Sequence, residues 1–131
     1  MERKTLEQKR AQHAWENAAG RGKEYVNLAK GLPSLIMNSG LMQVMAFLHE
    51  KGKKSSHHRE LAQHLLEWLS LRFEKMRPDP NDLNDRKFEN FMKNLIEADS
   101  RTYQDITAEA FAWLRWMRQM APARQPRQQG D

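Results

Sequence analysis

The chain has 131 residues, with 22 Lys and Arg against 17 Asp and Glu, a formal net charge of +5 and no cysteine. That length suits about one domain with one sizeable core. The missing cysteine excludes a disulfide scaffold, a Cys-ligated zinc site, an iron–sulfur cluster and a thiol nucleophile. No apolar run approaches the roughly 20 residues of a membrane span and no signal-peptide pattern opens the chain, so a soluble, cytoplasmic protein with no membrane partner is expected. Glycine and proline are few, at 6 and 5 residues, and the β-branched set is confined to Val26, Val44, Ile36, Ile96, Ile106 and three threonines. Leu, Ala, Met, Glu, Gln, Lys and Arg, which lose little rotamer freedom in a helix, make up most of the rest. The expectation is an all-α fold, a single-domain bundle of about five to six helices.

In chain order, Thr5-x-x-Gln8 reads as a capping box that starts the first helix. Ala11, Ala14, Trp15, Ala18, Gly22, Tyr25, Ala29 and Leu32 then keep one helical phase, which predicts one long helix, or two nearly collinear ones, from about residue 5 to 30. Gly31-Leu32-Pro33 is expected to stop it, because proline biases the preceding residue away from helical dihedrals. Pro33 then opens a short helix, Ser34 to Met37, ended by Asn38-Ser39-Gly40. Leu41 to Glu50 is apolar on almost every side and is expected to be central. A helix-turn-helix reading of this pair fails, since a recognition helix needs polar residues to reach base edges.

Lys51 to Ser56 forms a basic loop, and Ser56 caps a helix over His57 to Lys75 with Leu61, Leu65, Trp68, Leu69 and Phe73 on one face. The two prolines and turn formers of Arg77 to Asp82 break the chain. A helix from about Asp85 groups Phe88, Phe91, Met92, Leu95 and Ile96. Asp99-Ser100 ends that helix and caps the last, which carries Tyr103, Ile106, Ala110, Trp113, Leu114 and Met117 and closes at Pro122. The helical domain is thus expected over 1–121, and the Pro/Gln/Arg-rich 122–131 as a disordered tail.

Charge is uneven. Residues 79–99 hold six acidic and three basic side chains, a net of −3, which against the chain's +5 leaves +8 elsewhere. Arg3, Arg10 and Arg21 fall on one stripe of the first helix, and Lys51, Lys53, Lys54 and Arg59 lie within nine residues. Such groups suit sequence-independent contact with phosphates, although solvated helix faces are also made of charge.

Catalytic patterns are weak. His57, Glu60 and His64 occupy i, i+3 and i+7 of one helix and could hold a divalent metal, but bundle metal sites draw ligands from several helices, so an exposed face is the better reading. His13 and His49 read as lone histidines. Glu16, Glu67 and Glu109 lie near predicted core faces, where partly buried carboxylates are ordinary. No phosphate loop, HExxH or serine elbow is present. No enzymatic activity, cofactor or metal is expected. Trp116 lies about 60° round its helix from Trp113, and with Phe111, Ala112 and Met120 it widens the apolar face beyond one flank, which marks Trp116 and Met120 as a protein interface.

The run Gly31-Leu32-Pro33-Ser34-Leu35-Ile36-Met37-Asn38-Ser39-Gly40-Leu41, continued by Gln43, Ala46, Phe47 and Leu48, resembles a family signature. So does the ending Glu97-Ala98-Asp99-Ser100, Tyr103, Ile106-Thr107-Ala108-Glu109-Ala110 and Trp113-Leu114-Arg115-Trp116; Arg10-Ala11 and Tyr25, Leu28, Ala29 and Lys30 fit as well. Together, from about Thr5 to Ala121, they resemble the small helical subunit of type III-B CRISPR RNA-guided effector complexes, the Cmr complexes. The resemblance implies a non-catalytic protein that stacks head to tail in several copies along the backbone subunit and lines the channel where target RNA pairs with guide RNA. It implies RNA contact at Arg10, Lys30 and Arg115; Lys51, Lys53 and Lys54 join them on charge density. A helical adaptor with no nucleic-acid role is the alternative.

Overall fold

Thr5 closes both halves of its capping box: the Gln8 backbone N–H donates to Thr5 Oγ1 at 3.1 Å, and the Thr5 N–H donates to Gln8 Oε1 at 2.7 Å. From this start a computed structural model, describing residues 3–77 and 86–126, places six α-helices and no strand among the described residues. They are α1 (Leu6–Ala18), α2 (Lys23–Ser39), α3 (Leu41–Gly52), α4 (Ser56–Arg72), α5 (Lys87–Glu97) and α6 (Ser100–Ala123), with a 3-10 turn at Glu74–Met76 between α4 and α5. The all-α bundle read from composition is therefore the fold. Asp85 and the acidic Asp79 and Asp82 lie outside the described residues.

The first break falls elsewhere than the sequence suggests. The chain leaves the helix at Ala19, turns through Gly20 (φ 72°), and re-enters at Lys23. It then runs through Gly31-Leu32-Pro33 without stopping, so the expected short helix at Ser34–Met37 is the last part of α2. Proline inside a helix costs about 3 kcal/mol. Here Val26, Ala29, Leu32 and Ile36, all buried on one face, hold the segment against its neighbours. Burying such side chains stabilises by roughly 1.5–3 kcal/mol each, which outweighs the local preference. Gly40 makes the next corner at φ 84°, with Tyr103 Oη 3.7 Å from where a Cβ would stand. That hydroxyl accepts the Met42 N–H at 3.3 Å, supplying the start of α3 with a partner that its own sequence lacks.

Helix α6 holds the centre, packed on α1, α2 and α4. Ile106, Ala110, Trp113, Leu114, Met117 and Ala121 on it are completely buried. The expectation that Leu41 to Glu50 is central is corrected: α3 buries Leu41, Val44, Met45 and Leu48 but leaves Gln43, Ala46 and Phe47 exposed. Ser55, not Ser56, is the residue before α4, and α4 ends at Arg72 rather than Lys75. Asp99 caps α6 as expected, accepting the Thr102 N–H at 2.7 Å. Pro122 does not close that helix, which continues to Ala123; of the expected tail, 127–131 lie outside the described residues.

Two glycines separate local propensity from backbone necessity. Gly31 is helical, with nothing within 4 Å of an added Cβ. Gly31→Ala is expected to stabilise the chain by roughly 0.5–1 kcal/mol. Gly40→Ala, at positive φ, is expected to destabilise it by roughly 1–3 kcal/mol. Urea midpoints of the two variants moving in opposite directions would bear this out.

Candidate nucleic-acid interface

Arg10 was expected at a phosphate; the fold places it against Glu109. Its Nε donates to Oε2 at 2.6 Å and its Nη2 to Oε1 at 2.8 Å, a bidentate pair joining α1 to α6. Glu109 is 4% exposed, and it also accepts from Trp68 Nε1 at 3.1 Å and Arg72 Nε at 3.2 Å, both on α4. Burial pushes this carboxyl up, but the bonds from Arg10 and Trp68 and the charges of Arg10 and Arg72 prevail, holding it below the usual carboxylate range. Glu109 is thus a three-helix clasp.

His13 forms a second polar link in the core. Trp113 Nε1 can only donate, and it does so to His13 Nδ1 at 2.9 Å. The other ring nitrogen, Nε2, faces Glu67 Oε1 at 2.7 Å. That acid comes from another helix, α4. Glu16, by contrast, is exposed and accepts from Gln12 Nε2 at 2.9 Å.

The candidate metal trio separates into three different partnerships. His57 Nδ1 faces Glu24 Oε2 at 3.5 Å, Glu60 Oε2 accepts from Arg21 Nη1 at 2.8 Å, and His64 Nδ1 accepts the Tyr25 hydroxyl at 2.7 Å. Burial, with smaller contributions from the charges of Arg21 and His13, lowers His64 to about 4, so its ring is neutral at pH 7. Burial likewise holds the Tyr25 hydroxyl well above its usual range, leaving it a donor. No cluster of three or more metal-ligating side chains occurs among the described residues.

The remaining expected cations point outward. Lys30 on α2, Lys51 on α3, Lys54 in the α3–α4 turn and Arg115 on α6 are exposed, and none of them is paired with a carboxylate of the described residues. Lys53 bonds Glu50 at 2.9 Å on the surface. Trp116 and Met120 are half-buried and lie against the core. Trp15, in phase with the apolar residues of its helix, is 44% exposed; Arg124 stacks over its ring at 4.5 Å and donates to its carbonyl at 2.9 Å. No helix among the described residues is long and apolar enough to cross a membrane.

The described residues form a small all-helical bundle that carries lysines on its outside. Residues 6–124 match the family model described as CRISPR-associated protein (Cas_Cmr5). The chain is also 30% identical over 125 residues to the CRISPR system Cmr subunit Cmr5 of Thermus thermophilus, covering 92% of this chain and 96% of that relative. The chain belongs to the Cmr5 family, the small subunit of type III-B CRISPR Cmr complexes.

Removing the clasp and titrating the buried ring have separable effects. Glu109→Ala leaves the buried Trp68 N–H and the partly exposed Arg10 and Arg72 without their acceptor and is expected to cost roughly 1–3 kcal/mol in urea unfolding. Because the folded Glu109 carboxyl lies below its ordinary 4.5, its contribution is present above about pH 4.5 and lost as pH falls through the folded value. His64 acts earlier. Its folded value of about 4 lies below the ordinary 6.5, so the unfolded chain binds the extra proton and stability declines as pH falls from 6.5 toward 4. His64→Gln should flatten the urea midpoint over that window, while Glu109→Gln should not.

Proposed function

We propose that this chain is a non-catalytic, RNA-contacting subunit of a type III-B CRISPR effector complex. In this reading several copies stack head to tail along the backbone subunit in the cytoplasm and line the channel where target RNA pairs with guide RNA. The observation that carries it is the set of exposed, uncompensated cations on a chain of the Cmr5 family: Lys30, Lys51, Lys54 and Arg115. Lys53 joins them beside its surface pair with Glu50. Arg10 commits two of its three nitrogens to Glu109, so its role here is chiefly to join α1 to α6, the helix that presents Arg115. Point charges on flexible stems suit phosphate contact without base readout. Base pairing, not the protein, then supplies sequence specificity.

Stacking needs two different complementary patches, because heterologous contacts do not close. Trp116 and Met120, half-buried on the broad apolar side of α6, are assigned to such a protein contact. The exposed Met37 and Ile96, at 77% and 66%, favour a second reading as a helical adaptor without a nucleic-acid role.

Two measurements separate these readings. Native mass spectrometry of the chain, affinity-purified at moderate salt from its own host, is expected to recover several copies with guide RNA and larger CRISPR subunits. A lone 15.5 kDa chain, under conditions that preserve other assemblies, would overturn the proposal. Lys30→Gln, Lys51→Gln and Lys54→Gln combined should weaken target-RNA capture by the complex and flatten its salt slope by about 2, from about 0.7 per phosphate contact. No change in either would leave the adaptor.

A further inference from the structure

Helix α5 packs against α3, α4 and the 3-10 turn and leaves a cleft of about 1210 Å³ between them. Lys53, Arg59, Arg77, Arg86 and Lys87 line it, against Glu67 and Glu89. Glu67 is already engaged by His13. In the sequence these cations are scattered, with Arg77 and Lys87 separated by a proline-containing, acidic stretch.

Two of these cations, Arg59 and Arg77, are held in fixed positions without being neutralised. Arg59 Nη1 donates to the Gly52 carbonyl at 2.9 Å, and Arg77 donates through Nε to the Ser70 carbonyl at 3.1 Å and through Nη2 to that of Leu71 at 3.3 Å. Carbonyls orient a guanidinium without cancelling it, and no carboxylate of the described residues is paired with Arg59, Arg77 or Lys87. Gly52 makes the Arg59 anchor possible: a Cβ there would stand 2.9 Å from the Arg59 Cα. In the same wall the rings of His49 and Phe88 stack in parallel, with centroids 3.8 Å apart and 1° between planes. Fixed cations beside a flat aromatic stack are the combination that holds single-stranded nucleic acid, phosphates on the charges and a base on the rings.

We infer that this cleft binds the backbone of single-stranded RNA, with one base extending the His49–Phe88 stack. The inference rests on the RNA-contacting reading above and gives it a location. An acidic protein segment would satisfy the cations but would leave the stacked rings without a flat partner, which is why RNA is the occupant argued for.

The test uses the assembled complex containing the full chain and a labelled single-stranded target RNA. Arg59→Gln with Lys87→Gln is expected to raise the Kd about tenfold and to flatten the salt slope by about 1.4, two contacts at about 0.7 each, with subunit composition unchanged. Photocrosslinking the unmutated complex to RNA carrying 4-thiouridine is expected to mark peptides containing His49 or Phe88. If affinity is unchanged while the Lys30, Lys51 and Lys54 variant still weakens capture, the cleft is overturned and the RNA-contacting reading stands. If neither variant weakens capture, both fall. Loss of the subunit from the complex, with the unmutated protein giving no crosslink at these peptides, would make the cleft a protein interface and overturn the inference. Should the double variant melt early, the crosslinks on the unmutated complex decide: adducts there support the cleft, and their absence overturns it.

Discussion

A carboxylate taken out of water must be compensated or it will not stay ionised, and that requirement organises this bundle. Glu109 meets it by drawing donors from two other helices, Arg10 of α1 and Trp68 and Arg72 of α4. Four directed bonds fix the relative rotation of α1, α4 and α6 in a way that non-directional apolar packing cannot. His13, wedged between the Trp68 and Trp113 rings at 5.3 and 5.8 Å, adds a second polar link across the same three helices. The apolar stripes of the bundle supply the driving force for collapse, and these two groups choose one arrangement among the similar ones that collapse would allow.

The capping box at Thr5, the cap at Asp99 and the apolar phase of α4 and α6 were legible in the sequence because each depends on residues within a turn or two of one another. The structure departs from local pattern where distant packing overrides local preference. Leu32 before Pro33 has a local reason to leave the helix, yet it is fully buried against other elements and stays. Trp15 has core spacing, yet an arginine more than a hundred positions away covers its outer face. Spacing along one helix shows only the pairs within it, whereas His13 and Glu67 meet between two. The lysines named for RNA contact were legible as charge and are exposed as charge. What sequence could not supply was which arginines the fold would keep for itself.

That partition has a physical logic. Arg10, Arg21, Arg59, Arg72, Arg77 and Arg124 all hydrogen-bond within the chain, to carboxylates or to backbone carbonyls. The planar guanidinium, with several donors in fixed directions, suits it to bracing helices. Lys30, Lys51 and Lys54 extend into solvent instead, with the exposed Arg115, and their ammonium groups contact phosphates without demanding one geometry. Arg59 and Arg77 stand between these roles: braced by carbonyls, they keep their full charge at the cleft.

The clasp also imposes an order on folding during synthesis. Arg10 and Glu109 are 99 positions apart, and His13 and Trp113 are 100 apart. While the ribosome is still extending the chain, α1 can form its hydrogen-bonded turns but has no partner for its inward face. Loop closure over so long a span is entropically unfavourable until the contacts that reward it exist, and here they arrive last. A nascent chain truncated before α6 would therefore expose the apolar faces of α1, α2 and α4 together, the condition under which molecular chaperones engage. The helix that completes the core is also the one that ends that exposure.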